Sequence, residues 1–221
     1  MESVVVFVMN SVEAKHFGLN VPTFWATGAG LMTLLQSYGS YNLVETIHKN
    51  KSGEGVSVYM LGYWHALMLC FVYYAWNAHS LAMIWNGIVL APLYTAALVA
   101  VFRYKTLQRV DLLKISIPLL VMPFVFVVAG KKDIFLLIFM VVGLVFFLDQ
   151  TRLLYVEKRT GSFDPRFTIA IMLSSIFWFF FALSVGDFAL TMFNPLVLAI
   201  SLITLHAYAR AKRHEGMVCT S

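Results

Sequence analysis

Seven stretches of about 20 mostly apolar residues, near 22–45, 57–77, 79–102, 112–130, 133–154, 167–185 and 187–209, fill nearly all of this 221-residue chain. A helix needs roughly 20 such residues to cross the hydrocarbon of a bilayer. Backbone groups there have no water to bond, so a spanning segment satisfies them internally as a helix. A hydrophobic content of 60% with only 12% charged residues, and a mean hydropathy of +0.79, excludes an ordinary soluble domain. The expected class is an all-α integral membrane protein with short connections.

The net charge of +5 follows topology rather than a nucleic-acid surface. With seven spans and an outside N-terminus, the inner loops and tail hold Lys49 and Lys51, then Arg103, Lys105, Arg109 and Lys114, then Arg152, Lys158, Arg159 and Arg166, then Arg210, Lys212 and Arg213. Only Lys15, Lys131 and Lys132 fall outside. Lysine and arginine concentrate on the cytoplasmic side of membrane proteins, so the expectation is N-out and C-in, in the plasma membrane or an endomembrane. Membrane lipid is then a partner, and nucleic acid is not. Near the N-terminus, Val4 to Met9 is apolar, but Glu2 replaces the basic region of a signal peptide. This segment reads as a short flank in the interface or an early turn of the first helix. Cys70 and Cys219 form neither a disulfide framework nor a metal signature.

A second pattern is duplication. Asn86 in Ile-Trp-Asn-Gly and Asn194 in Met-Phe-Asn-Pro lie 108 residues apart, and the same shift carries Lys51-Ser52-Gly53 onto Arg159-Thr160-Gly161. The division that follows is a flank over 1–21, a first three-helix repeat over 22–102, a linker loop and fourth helix over 103–132, a second three-helix repeat over 133–209, and a cytoplasmic tail over 210–221. Three spans invert the chain and the fourth restores its direction, so this 3+1+3 order predicts two parallel repeats. Pro118 and Pro123 imply a bend in the linker helix. Polar side chains deep in a membrane face a bundle interior or a cavity, so two matched amides predict one shared site between the repeats.

These residues resemble the SWEET sugar transporters of the PQ-loop superfamily. Lys51-Ser52-Gly53-Glu54-Gly55-Val56-Ser57 is similar to the family's K-S-x-E-x-x-S loop, and Arg159-Thr160 with Phe163-Asp164-Pro165 to its second-repeat counterpart. Trp178-Phe179-Phe180-Phe181-Ala182-Leu183 resembles W-x-x-Y-x-L, Asn86-Gly87 matches the third-helix N-G, and Asp187 and Asn194 follow Trp178 at the family's spacing. The resemblance implies that Asn86 and Asn194 bond sugar hydroxyls and that Trp178 stacks on the sugar ring. Phe71 would wall the site where the family has a second tryptophan, and Ser174, four residues before Trp178, would add a hydroxyl. It further implies that Tyr74 and Asp187 close an extracellular gate and that Pro165 is a hinge. The chain also departs from the family: it has no Pro-Gln dipeptide, with Asn42-Leu43 and Gln150-Thr151 at the corresponding positions, and Pro165 alone remains of four hinge prolines.

Asp149 and Arg152, spaced i,i+3, are neighbours on a helix. They read as a self-neutralising pair, with an inner gate or proton coupling as the alternative. The leading expectation is bidirectional, facilitative uniport of a mono- or disaccharide by alternating access, with no cofactor and no metal. Alternatives are a proton-coupled PQ-loop amino-acid carrier and a KDEL-receptor-like sorting receptor. No nucleotide loop, paired catalytic carboxylates or activated nucleophile occurs, so an enzyme is not expected. The sequence leaves open whether copies associate as a homo-oligomer.

Overall fold

The computed structural model of the chain describes residues 4–113, 115, 116, 118, 120, 132–158 and 160–218, and every regular element among them is helical. In chain order these are α1 (Val4–Asn10), α2 (Val12–Lys15), α3 (Val21–Asn50), α4 (Val58–Ala78), α5 (Leu81–Tyr104), α6 (Lys132–Glu157), α7 (Pro165–Val185) and α8 (Phe188–Val218). Five of them, α4 to α8, are long and apolar enough to cross a membrane. The chain is an all-α, multi-pass membrane protein. The expected fourth span, with Pro123, lies largely outside the described residues; residues 109–113 are helical and Pro118 is buried.

Helix α3 forms where the first span is expected but is not among the five apolar ones. The reason is which way its polar residues face. Thr33, Gln36, Ser40 and Asn42 are buried, whereas Leu31, Leu34, Tyr38 and Tyr41 are exposed. The helix turns its polar face into the protein and its apolar face outward, as a membrane helix lining an internal site does.

Capping sets the helix ends. Asn20, Ser57, Ser80 and Asp164 each occupy an N-cap and accept a bond from a first-turn backbone N–H. Glu13 reinforces α5 from outside, its carboxylate accepting from Leu81 N at 2.9 Å, Ala82 N at 3.0 Å and Ser80 Oγ at 2.7 Å. A carboxylate at a helix N-terminus also favours the helix dipole. This contact, with Phe7 stacked on Trp76 at 4.4 Å, docks the N-terminal flank on α4 and α5 as two short helices rather than as a first turn of α3. At the other terminus α8 runs past the expected boundary at 209 to Val218. Polar residues end a membrane span without ending a helix.

Prolines fall in two classes. Pro165 occupies the first turn of α7, where its fixed φ starts a helix and removes no helical bond. Pro92 and Pro195 lie inside α5 and α8, each depriving a carbonyl four residues earlier of its donor.

The packing order is the same in both halves. α5 lies between α3 and α4, α8 lies between α6 and α7, and the halves meet through α3 on α7 and α4 on α6. Exchanging the first three helices for the last three maps this pattern onto itself. Close approach between the halves needs small residues: a Cβ on Gly143 of α6 would overlap the Tyr63 ring of α4. Gly30, by contrast, has open space around it. Gly143→Ala is expected to lower the melting temperature in detergent, by the equivalent of about 1–3 kcal/mol for an overpacked core. Gly30→Ala should leave it unchanged or raise it slightly. Thermal unfolding of the two variants beside the parent checks this.

Candidate functional site

Five helices line the polar centre of the bundle. A cavity of about 30 Å³ is lined by Gln36 of α3, Trp64, Met68 and Phe71 of α4, Asn86 of α5, and Ser175 and Trp178 of α7, with Asn194 and its α8 neighbours Leu190, Phe193 and Val197 closing it. Asn86 and Asn194 are both buried, and they come from the middle helix of each three-helix set. Among the described residues lining this cavity, none carries an ionisable group. The volume has room for about two waters, so any larger solute requires the helices to move apart.

The polar atoms here are unevenly satisfied. Thr33 Oγ1 lies 2.9 Å from Asn86 Oδ1, and Asn194 Nδ2 donates to Leu190 O at 2.7 Å. Gln36 Oε1 and Trp64 Nε1 are buried without a hydrogen-bond partner. Leaving a buried donor or acceptor unmet costs about 1–3 kcal/mol.

The two ends of the bundle are closed differently. On the side of α7 and α8 where Asp187 caps α8 through Leu190 N, Tyr74 OH donates to Asp187 Oδ2 at 3.3 Å, joining the two halves. Above this contact sits a vestibule of about 260 Å³, lined by Val12, Ser80, Met83, Phe181 and Asp187 among others. Along α4, Phe71 in the cavity and Tyr74 in the vestibule are three positions apart, about 4.5 Å at 1.5 Å per residue.

The opposite end is sealed in depth. Below Trp64 an aromatic floor crosses the bundle, with Trp64 stacked on Tyr94 and set edge-on to Phe147, and Tyr94 edge-on to Phe167. Beneath it Ser57 N donates to Gln150 Oε1 at 2.8 Å, Gln150 Nε2 to Gly55 O at 2.7 Å, and Ser57 Oγ to Asp149 Oδ2 at 2.7 Å. The loops before α4 and α7 then touch directly, Ser162 N donating to Glu54 O at 2.8 Å. Gly55 and Gly161 meet there with positive φ, and a Cβ on either would strike the other loop's backbone. Glu215 of α8 holds the second loop through Thr160 N and Oγ1 at 2.7 and 2.9 Å.

Of the residues singled out in the sequence, Asn86, Asn194, Trp178 and Phe71 meet at the cavity, and Tyr74 and Asp187 meet each other. Ser174 does not line the cavity; Ser175 does, because the cavity face of α7 runs Ile171, Ser175, Trp178. The Ser174 hydroxyl is buried without a partner. Asp149 and Arg152 pair at 3.4 Å, and Asp149 is tied to Ser57 at the sealed end, away from the cavity. Gln36, Trp64 and Thr33 were not foreseen. A glutamine in the middle of a span is the visible signal for the first; nothing in the sequence marks the other two. Gln150 closes the loops rather than the site.

Compared with known families and characterised proteins, the chain matches no family model and no characterised sequence. What the fold and cavity define is therefore a class, an all-α multi-pass membrane protein with a buried, uncharged polar cavity at its centre.

Asp164 anchors the sealed end, bonded to Arg166 Nη2 at 2.7 Å and to Thr46 Oγ1 at 3.2 Å. Burial raises its pKa, but the hydrogen bonds and charge of Arg166, with Thr46, outweigh this and hold the carboxyl below its ordinary value. A depressed folded pKa contributes stability that is complete above the unfolded value, near 3.9, and lost as pH falls through the lower folded one. Asp164→Asn keeps a capping side chain but removes the charge. It should cost no more than about 1 kcal/mol at neutral pH, since Arg166 is half exposed. The melting-temperature difference between parent and variant should shrink on acidification below about pH 4, within that window.

Proposed function

We propose that the chain is a transporter moving a neutral polyhydroxy solute, a mono- or disaccharide, in both directions by alternating access. The observation that carries this is the cavity between the two halves, lined by one asparagine from the middle helix of each and by no ionisable group among the described residues. A carboxamide offers an acceptor and two donors, matching vicinal hydroxyls, and the faces of Trp178 and Phe71 suit the apolar side of a sugar ring. The unmet donor on Trp64 and acceptor on Gln36 add to that match. A hydroxyl both donates and accepts.

The reading includes a SWEET-like, seven-helix 3+1+3 architecture with parallel repeats, which the repeated packing order supports. Transporters of this kind bind near the midplane between repeats and rock one against the other. The distribution of basic residues supports a cytoplasmic Gly55 end and an outer vestibule. On that assignment the chain is occluded, with an outer barrier of Tyr74–Asp187 and the Trp25, Phe177 and Phe180 rings and an inner one of rings over a hydrogen-bonded net. An amino acid would bring two charges into a cavity that offers none in return, which is costly. A sorting receptor for a peptide carboxylate would need a cation there.

Uptake of labelled glucose and sucrose into proteoliposomes, with and without an inward proton gradient, tests the proposal. Saturable uptake indifferent to the gradient is expected, falling about tenfold or more in Asn86→Ala and in Asn194→Ala. Gradient-driven uptake of amino acids with no sugar flux would overturn it.

A further inference from the structure

The two asparagines are held in different ways. Thr33 Oγ1 is fully buried, 2.9 Å from Asn86 Oδ1 and 3.1 Å from Ala29 O, and a hydroxyl has one proton to give. Its use is decided on the other side of the amide. Asn86 Nδ2 faces the Met68 sulfur at 3.6 Å, and a thioether accepts but does not donate. Turning the amide over would set its oxygen against that sulfur, acceptor to acceptor. With the nitrogen on sulfur, Oδ1 falls to Thr33, which must donate to it.

Asn194 has neither device. Its Nδ2 is committed to Leu190 O, an acceptor on its own helix, leaving Oδ1 uncommitted. Thr33 corresponds at the 108-residue shift to Val141, which has no polar group to offer, and the α4 cavity face Trp64, Met68, Phe71 matches Ile171, Ser175, Trp178 of α7, so Ser175 stands in the place of Met68, its hydroxyl donating to Met172 O on its own helix. Because Met68 lines the cavity with Asn86, the Asn86 nitrogen lies on the cavity wall with only a weak acceptor to displace.

We propose that Thr33 and Met68 are positioning residues that hold the Asn86 carboxamide with its nitrogen toward the ligand, so that the site has a donor end at Asn86 and an acceptor end at Asn194. This rests on the transport reading. The ligand oxygen at Asn86 accepts a hydrogen bond, and the one at Asn194 donates. Duplication supplies two equivalent amides, and two substitutions confined to the first half make them inequivalent, giving the site a direction.

Competition of monodeoxy and monodeoxyfluoro glucoses against labelled glucose uptake tests this, because fluorine accepts a hydrogen bond but cannot donate one. In the parent, at one ring carbon, the fluoro analogue should compete within a few-fold of glucose and the deoxy analogue about tenfold more weakly, equivalent to about 1.4 kcal/mol. Thr33→Val, nearly the same shape, should erase that difference, and Thr33→Ser should restore it. Met68→Leu should also erase it, and it decides the matter if Thr33→Val does not fold. A parent with no such carbon, or variants that keep the parent's discrimination, would overturn the proposal and leave the transport reading intact. A parent that carries no sugar would instead sink the transport reading, and this inference with it.

Discussion

Hydrocarbon cannot hydrogen-bond, and most of the structure follows from that. Every polar group carried into the bundle has to meet a partner inside it. Asn42 bonds Tyr38 O, Ser37 bonds Thr33 O, and Thr151 meets Thr204. Helix α3 shows the same constraint at the scale of a whole element. It buries its polar stripe and exposes leucine and tyrosine, the reverse of a helix on a soluble protein. Among the buried side-chain atoms left without a partner, Gln36 Oε1 and Trp64 Nε1 belong to residues of the central cavity, while Ser174 Oγ and Thr168 Oγ1 belong to α7 residues that do not line it.

The same constraint explains the unequal ends. At the Tyr74 end the halves meet through a hydroxyl–carboxylate contact and through Trp25 of α3 packed on Phe177 and Phe180 of α7. At the other, a layer of aromatic rings lies over a net of backbone and carboxamide bonds that ties α6 to the loop before α4, and that loop to the one before α7. Breaking a single bond exchanges it for water at little net cost. Parting the second end means separating packed rings and several bonds together. The two ends therefore differ in the hydrogen bonding that joins the halves.

Much of this was legible beforehand. Segment lengths and apolar runs placed six of the described helices to within a few residues at most ends, and the 108-residue interval anticipated that Asn86 and Asn194 would face one cavity. The misses have specific causes. Ser174 and Ser175 both lie within a turn of Trp178, and i−4 and i−3 spacing alone does not say which points at the cavity. Polarity past 209 marks the end of a span and so reads as a tail, yet residues 210–218 continue α8. Pro165, which the resemblance makes a hinge, starts α7 from its first turn and removes no helical bond, while Pro92 and Pro195 sit where bonds are lost.

What the sequence determined by itself is the class: apolar segments of spanning length, short connections and a repeated motif leave little else for the chain to be. Tertiary structure alone decided which partner each polar side chain found. Hydropathy and spacing describe one helix at a time, whereas the contacts of Thr33 with Asn86, Gln150 with Ser57 and Tyr74 with Asp187 join residues 53, 93 and 113 positions apart. Whether two such groups meet depends on helix rotation and crossing, which close-packed side chains set collectively, and no local stretch of sequence encodes that.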